Sequence, residues 1–186
     1  MQVYELNDID GIVYELKSNR AAIIETDTQL GIVSLNPKLI YALKRRSRSK
    51  PLIKLIPDVS FVKTDNEIFH KLAKAFWPGQ LTIIINKESY RIPNHKQLLK
   101  LLHATGPLYS SSANISNQQP LKEALDAMTL NEFKQNEEKL FIVSGKEKSA
   151  VPSTIFNVDS GTILRRGSQY QQLLDFLKKN GINYRE

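Results

Sequence analysis

A chain of 186 residues, of which 41% are hydrophobic, suits a single domain with its own hydrophobic core, and this composition excludes a disordered polypeptide. The absence of cysteine excludes disulfide bonds, thiol catalysis and thiolate zinc sites. The three histidines show no recognisable ligand spacing, so we expect no dedicated metal site. No apolar segment approaches the length of a membrane span and the N-terminal segment is acidic, so we expect no membrane association and a cytoplasmic location.

The net charge of +7 indicates a polyanionic partner, either a nucleic acid or a phosphorylated small molecule. Six basic residues fall between Lys44 and Lys54 with no acidic residue among them. Charge alone leaves open a second interpretation, in which these residues form an ordinary solvated surface.

Hydrophobic periodicity predicts helices and strands that interleave along the chain. Asn7 or Asp8 can cap a first helix, Pro37 starts a second, and Trp77-Pro78-Gly79 must end a third. The segment 131–139 is too polar to assign. In chain order, the predicted elements are helix 8–17, strands 21–25 and 31–35, helix 37–44, strand 52–56, helix 67–76, strand 81–85, helix 95–103, strand 107–111, helix 120–128, strands 140–144, 153–158 and 162–166, and helix 170–179.

This order predicts an α/β protein with a mixed sheet. The strand at 81–85 is a nearly continuous β-branched run and is predicted to lie inside the sheet. A hairpin around Asp159-Ser160-Gly161 is predicted to join the last two strands. No glycine fingerprint follows the first predicted strand, so a Rossmann fold is excluded.

No P-loop motif is present, so a polyanion site would need basic, hydroxyl and amide groups from several loops. Four segments at predicted strand ends carry such groups: residues 25–31, 44–52, 110–117, and 151–155 together with 163–167. The first and last could equally be ordinary turns, and the second a basic surface loop or an RNA-backbone contact. In the third, serine and asparagine could cap a helix or form a phosphate cradle.

Together and in this order, the four segments and their neighbours resemble the YrdC family of threonylcarbamoyl-AMP synthases. The resemblance spans residues 21–167. The matching motifs are Thr26-Asp27-Thr28, Lys44 with Arg46, Lys50-Pro51-Leu52, Phe76-Trp77-Pro78-Gly79, Leu81-Thr82, Arg91-Ile92-Pro93, Ser112-Ala113-Asn114, Pro152-Ser153-Thr154-Ile155 and Leu164-Arg165.

The resemblance implies one YrdC-like domain over residues 1–186, with a twisted mixed sheet flanked by helices and a concave basic face. It implies a nucleotidyltransferase that makes L-threonylcarbamoyl-adenylate and pyrophosphate from ATP, bicarbonate and L-threonine for modification of tRNA. Mg²⁺ would enter with ATP. A downstream threonylcarbamoyl transferase complex would use the product, and weak binding of tRNA is a further expectation.

The resemblance also assigns roles to individual residues. Lys44 and Arg46 would be catalytic. The ATP-binding residues would be Lys44, Arg46, Ser112, Asn114, Ser153 and Arg165, and the threonine-binding residues Thr28 and Arg91. We expect Trp77 to pack in the core. Four residues depart from the family pattern: Glu25 and Gln80 replace prolines, Leu30 replaces an aromatic residue, and Ser47 stands where proline usually follows the arginine.

Two alternatives remain at this stage. An RNA-binding module without catalysis, associated with ribosomes or tRNA, would also use the positive charge, although the cationic loop between Lys44 and Lys54 contains no aromatic residue for stacking. A carbamoyl-transfer domain of the type found in hydrogenase-maturation proteins is the other alternative. Those domains belong to larger chains with metal-binding and acylphosphatase regions, which are not found in this sequence.

Overall fold

Ten strands and six helices alternate along the chain in a computed structural model that describes all 186 residues. The strands are β1 (Val3–Tyr4), β2 (Ala21–Ile24), β3 (Gly31–Ser34), β4 (Ile53–Leu55), β5 (Leu81–Ile85), β6 (Glu88–Arg91), β7 (Leu108–Ser112), β8 (Leu140–Val143), β9 (Thr154–Asn157) and β10 (Thr162–Arg165). The helices are α1 (Ile9–Lys17), α2 (Pro37–Leu43), α3 (Glu67–Phe76), α4 (Lys96–Thr105), α5 (Asn131–Lys134) and α6 (Tyr170–Lys179).

All ten strands form one mixed sheet, in the order β1-β8-β2-β3-β7-β4-β6-β5-β9-β10. The pairs β1–β8, β2–β8, β4–β6 and β5–β9 are parallel, and the others are antiparallel. The predicted α/β class with a mixed sheet is therefore confirmed. Strand β5 lies inside the sheet with every residue buried, as its β-branched run predicts.

Side chains alternate along each strand, so the buried strands present apolar side chains on both faces of the sheet. Helices cover both of these faces. On β2, Ala22 and Ile24 point into a cluster with α1 and α4. Ile23, between them, points into a cluster on the opposite side with α2. A third cluster packs α3 and α6 against β5 and β9, and Trp77 lies at its edge as expected.

Local capping signals locate several helix ends correctly. Asp8 accepts a hydrogen bond from the Gly11 backbone N–H, and Pro37 is the first residue of α2. His95 caps α4 with its Nδ1 atom, which accepts from the Leu98 N–H. No helix is long and apolar enough to cross a membrane.

The structure corrects the sequence-based assignment at three places. Strands β1 and β6 were not predicted, because each is short: β1 pairs with the distant β8, and β6 pairs with the distant β4 as well as with its neighbour β5. The helix predicted at 120–128 is a 3-10 helix over Ala124–Thr129, and α5 forms in the segment left unassigned. Pro120, Leu121 and Lys122 precede the 3-10 helix in irregular structure.

Candidate functional site

A cleft of about 680 Å³ opens on one face of the sheet, where β3, β4, β6 and β7 lie side by side. Six of the eight predicted site residues line it: Thr28, Arg46, Arg91, Ser112, Ser153 and Arg165. The remaining lining residues are Thr26, Gln29, Leu30, Gly31, Pro51, Ile53, Leu55, Ser110, Ser111, Pro152 and Ile155.

The turn between β2 and β3 forms one wall and holds a buried ion pair. Asp27 Oδ1 accepts a 2.9 Å hydrogen bond from Arg91 Nη2, and both side chains are buried. The second oxygen of Asp27 accepts from the Asn94 backbone N–H at 3.0 Å. Arg91 Nη1 also donates to the Thr28 hydroxyl at 3.3 Å, so one guanidinium joins β6 to this turn.

The opposite wall is built from Ser153 and Arg165. Arg165 donates from Nε to the Ser153 carbonyl and from Nη2 to the Ser153 hydroxyl, both at 2.8 Å. The Thr82 hydroxyl lies 2.8 Å from the same serine oxygen. A Cβ on Gly167 would come within 2.2 Å of the Pro152 carbonyl, so only glycine lets the chain after β10 pass this close.

Arg46 reaches the cleft from the loop after α2. Its Nε donates to the Lys50 carbonyl at 3.2 Å and its Nη2 to the Pro51 carbonyl at 3.0 Å. These bonds fix the guanidinium plane without using Nη1. The neighbouring Arg45 points elsewhere, with its side chain 68% exposed and 3.9 Å from Glu132.

Positive charge exceeds negative charge in the cleft, because three arginines line it and the one neighbouring carboxylate, that of Asp27, pairs with Arg91 alone. Burial, followed by the charges of Arg91 and Arg46, lowers the pKa of Arg165 to about 10. Burial also lowers the pKa of Arg46 and of Arg91, although Asp27 opposes the shift at Arg91. Arg91 Nε is buried without a partner. Uncompensated charge and free donors favour an anionic ligand.

Lys44 does not line the cleft, in contrast to the expected phosphate contact. Its side chain is buried behind the turn after β7, where Nζ donates to the carbonyls of Ser112 and Asn114 at 2.5 Å and to Asn114 Oδ1 at 2.8 Å. Three acceptors thus match the three donors of the ammonium group. Burial, followed by the charge of Arg46, lowers the pKa of Lys44 to about 7.

Asn114 also lies outside the cleft lining, and its amide closes the same turn. Its Oδ1 accepts from the Ser112 hydroxyl at 2.7 Å as well as from Lys44, and its Nδ2 donates to the Gln118 carbonyl at 2.5 Å. The following segment contains no helix for Asn114 to cap before the 3-10 helix at Ala124. The structure therefore contradicts the helix-cap interpretation of Asn114 and places its side chain in the frame of the turn, whereas its contact with phosphate stays a prediction.

Two departures from the family pattern make contacts that the motifs could not predict. Gln80 donates from Nε2 to the Asp27 carbonyl at 2.5 Å. Glu25 accepts from His95 Nε2 at 2.8 Å and lies 3.5 Å from Lys148 Nζ. Burial would raise the pKa of Glu25, but the hydrogen bond from His95 and the charge of Lys148 lower it. Both residues therefore brace the turn that carries Thr28.

The cleft has no set of protein ligands for a metal ion. None of its lining residues is a carboxylate or a histidine, and no group of three or more His, Cys, Asp and Glu side chains is placed to hold a metal. A divalent cation in this cleft would need its ligands from the phosphates of a bound nucleotide, which is the usual situation of Mg²⁺ with ATP.

The two arginines of the cationic loop should differ sharply in function. Arg46→Ala should lower kcat/KM for a nucleotide substrate, because its guanidinium faces the cleft. The corresponding loss of transition-state stabilisation should be about 2–4 kcal/mol. Arg45→Asn removes an equal charge and keeps a residue suited to the backbone φ of 50° at that position, so it should cost well under 1 kcal/mol. Equal losses in steady-state kinetics would show that only overall charge matters.

Comparison with known proteins gives a family match over most of the chain. The model of the Sua5/YciO/YrdC family, described as "Telomere recombination", matches residues 15–167. A Mycoplasma pneumoniae protein, "Uncharacterized protein MG259 homolog", is 36% identical over 171 residues, which are 91% of this chain and 37% of that protein. A Methanocaldococcus jannaschii protein, whose name proposes it as a threonylcarbamoyl-AMP synthase, is 28% identical over 190 residues, covering 88% of this chain and 89% of that one.

Solved structures share the fold. P. abyssi Sua5 complexed with L-threonine superposes with a TM-score of 0.76 at 23% identity, covering 90% of this chain and 58% of that chain. E. coli YciO superposes with a TM-score of 0.72 at 17% identity, covering 89% of this chain and 95% of that one. The chain thus spans little more than a third of the Mycoplasma relative and nearly all of YciO.

Proposed function

This chain belongs to the Sua5/YciO/YrdC family, and we propose that it is an L-threonylcarbamoyl-adenylate synthase. It would convert ATP, bicarbonate and L-threonine into threonylcarbamoyl-AMP and pyrophosphate. Relatives proposed to have this activity are 25–29% identical to the chain. The observation that carries the proposal is a cleft lined by three guanidinium groups and several hydroxyls, in which Arg91 alone is paired with a carboxylate, that of Asp27.

The reaction needs orientation and charge stabilisation rather than an enzyme nucleophile. The amino nitrogen of threonine bonds to the carbon of bicarbonate, and a C–O bond of bicarbonate breaks with release of water, which leaves an N-carboxy adduct. Its carboxylate oxygen attacks the α-phosphorus of ATP, and the bond from that phosphorus to the bridging oxygen of pyrophosphate breaks. Negative charge moves onto the departing pyrophosphate, where fixed cations lower the barrier. Guanidinium groups suit this task because they present several donors in one plane.

Arg46 and Arg165 are the proposed contacts for the phosphates. Arg46 is anchored by two backbone carbonyls, and Arg165 by the carbonyl and the hydroxyl of Ser153, and each keeps Nη1 free of protein partners. Ser112 and Ser153 add hydroxyls from the two walls of the cleft. Because these groups are held before the ligand arrives, little reorganisation is needed when charge develops.

Thr28 and Arg91 are the proposed contacts for L-threonine, the ligand held by the P. abyssi relative. Asp27 already occupies one edge of Arg91, which leaves the buried Nε as the free donor for a carboxylate. Lys44 and Asn114 are proposed to act indirectly, by fixing the turn that presents Ser112.

Mg²⁺ is proposed to enter on the phosphates of ATP, where it would neutralise charge on the leaving pyrophosphate. Arg46 and Arg165 would lie beside it on the remaining phosphate oxygens. The product would be used by a downstream transferase complex that modifies adenosine in tRNA.

The test is pyrophosphate release from purified protein with ATP, Mg²⁺, bicarbonate and single amino acids. Release should require both L-threonine and bicarbonate, and threonylcarbamoyl-AMP should be detected by mass spectrometry. D-threonine provides the matched control, since it has the same composition but the wrong stereochemistry. Turnover of ATP that is indifferent to threonine would remove the synthase proposal and leave a nucleotide-binding protein.

A further inference from the structure

The side chain of Glu25 joins segments that are far apart in the chain. It lies at the start of the turn between β2 and β3 and is 13% exposed. Its Oε1 atom accepts a 2.8 Å hydrogen bond from Nε2 of His95, the residue that caps α4. Its Oε2 atom accepts from the Lys146 backbone N–H at 3.4 Å and lies 3.5 Å from Lys148 Nζ. One carboxylate therefore contacts both α4 and the loop of residues 145–151, called the connecting loop below.

The connecting loop lies directly on the turn that carries Thr28. A Cβ on Gly145 would come within 2.7 Å of Glu25 Oε2, so the loop passes this close because glycine has no side chain. Further along, the backbone N–H groups of Lys148 and Ser149 both donate to the Thr28 carbonyl, at 3.0 and 3.2 Å. The loop is thus bonded to the same residue whose side chain lines the cleft.

Other backbone bonds hold the outer side of the connecting loop. The Ala124 N–H donates to the Gly145 carbonyl, and the Glu147 N–H donates to the Lys122 carbonyl. These bonds do not involve Glu25. A change at Glu25 should therefore shift the loop relative to the turn without detaching it from the protein.

The two groups on either side of Glu25 are both donors, which makes a carboxylate necessary. His95 Nδ1 accepts from the Leu98 N–H, so the proton of a neutral ring is on Nε2, and this atom can only donate to Glu25. The Lys146 N–H is also a donor. A carboxylate offers an acceptor oxygen to each, whereas an amide has one oxygen and would turn its NH₂ group towards one of the donors.

We propose that Glu25 is a positioning residue for the amino-acid substrate, because its carboxylate clamps the connecting loop onto the turn and so fixes Thr28. Glu25 does not line the cleft and acts through Thr28 alone. Arg46 and Arg165 have their own anchoring bonds, so the clamp should matter for the amino acid and not for the nucleotide. The identity of the substrate rests on the proposed function, whereas the clamp itself does not.

The test is hydrogen–deuterium exchange, measured by mass spectrometry on the unmodified protein and on Glu25→Gln. The N–H groups of Lys148 and Ser149 report whether the loop lies on the turn, because they donate to the Thr28 carbonyl. Their exchange should rise about tenfold in Glu25→Gln, as expected for the loss of a hydrogen bond to a charged group. Exchange in α6 should stay unchanged, which would show that the fold is intact.

A matched control and a rescue variant make the exchange experiment specific. Glu123→Gln makes the same change on the outer side of the loop, where Glu123 pairs with Lys146 at 2.9 Å, and should leave the exchange unchanged. In Glu25→Gln/His95→Asn, asparagine still caps α4 but withdraws the imidazole donor, so the glutamine oxygen can accept from the Lys146 N–H. This variant should recover much of the protection. Unchanged exchange in Glu25→Gln, an equal rise in Glu123→Gln or absence of rescue would overturn the clamp.

Steady-state kinetics test the role in substrate binding. Glu25→Gln should raise KM for L-threonine about fivefold, roughly the value of one hydrogen bond, and leave KM for ATP within about twofold. The double variant should return KM for L-threonine towards the original value. A smaller folded fraction would lower kcat without changing either KM, and equal rises in both KM values would contradict a role confined to the amino acid. If the unmodified protein releases no pyrophosphate with threonine, the synthase proposal fails, and the exchange experiment alone decides whether Glu25 clamps the loop.

Discussion

Lys44→Met and Asn114→Ala should each lower kcat/KM for ATP strongly, and combining them should cost no more than the worse single change. Lys44→Met keeps the aliphatic stem but removes all three bonds from Nζ to the turn. Displacement of reacting groups by about 1 Å can cost on the order of 100-fold in rate, which is the loss expected for Lys44→Met. Asn114→Ala should cost tenfold or more, the value of a hydrogen bond to a charged group.

The double-mutant cycle decides between an indirect and a direct role for Lys44. Groups that act through one shared structure are not additive, whereas independent contacts to the ligand add. Additive losses would mean that the Lys44 ammonium leaves the turn and contacts phosphate in the complex. A thermal melt of each variant provides the control. A variant that melts below the assay temperature would lose activity because it unfolds, and not because the turn is displaced.

Much of the sheet could be predicted because its strands have strong local signals. Strands β2, β5 and β8 consist of hydrophobic residues except for Thr82, and all their residues are buried. Strand β6 has the sequence Glu-Ser-Tyr-Arg and no such signal. It is a strand because β4 and β5 pair with it on either side, which is information that no local window contains.

The motifs predicted which segments meet, but not which atoms face the ligand. Lys44 and Arg46 are two residues apart, yet one is buried under the turn after β7 and the other lines the cleft. The difference arises because α2 ends at Leu43 and Arg45 adopts a positive φ, so the chain changes direction between them. The partners of Lys44 lie about 70 positions away, as its bonds to Ser112 and Asn114 show.

The aromatic residues that the fold places near the cationic loop were missed for a similar reason. The sequence argument against RNA binding rested on the cationic loop, in which aromatic residues are absent. Tyr41 precedes that loop, and Tyr109 lies more than 50 residues beyond it. Only the pairing of β4 with β7 places Tyr109 beside Lys54.

Asp27→Asn should produce the largest loss of stability of any single change in the cleft, about 3–5 kcal/mol in the free energy of unfolding. Arg91 is only 4% exposed, and Asp27 is its one carboxylate partner. Removing one partner of a buried pair leaves an uncompensated charge, which costs that amount. Domains of this kind have about 5–15 kcal/mol in total, so urea denaturation should show a clearly lowered midpoint.

A control substitution, a double variant and the effect of ATP test whether the lost stability comes from the unpaired charge of Arg91. Asp175→Asn, on the exposed surface of α6, is the matched control and should change stability by less than about 0.5 kcal/mol. Asp27→Asn/Arg91→Met removes both charges and should recover part of the loss, since replacing a buried pair with apolar groups is often neutral. ATP should raise the melting temperature of Asp27→Asn more than that of the unmodified protein, because its phosphates supply the missing negative charge. A larger loss in the double variant than in Asp27→Asn would show that Arg91 contributes through packing and hydrogen bonds rather than through its pairing with Asp27.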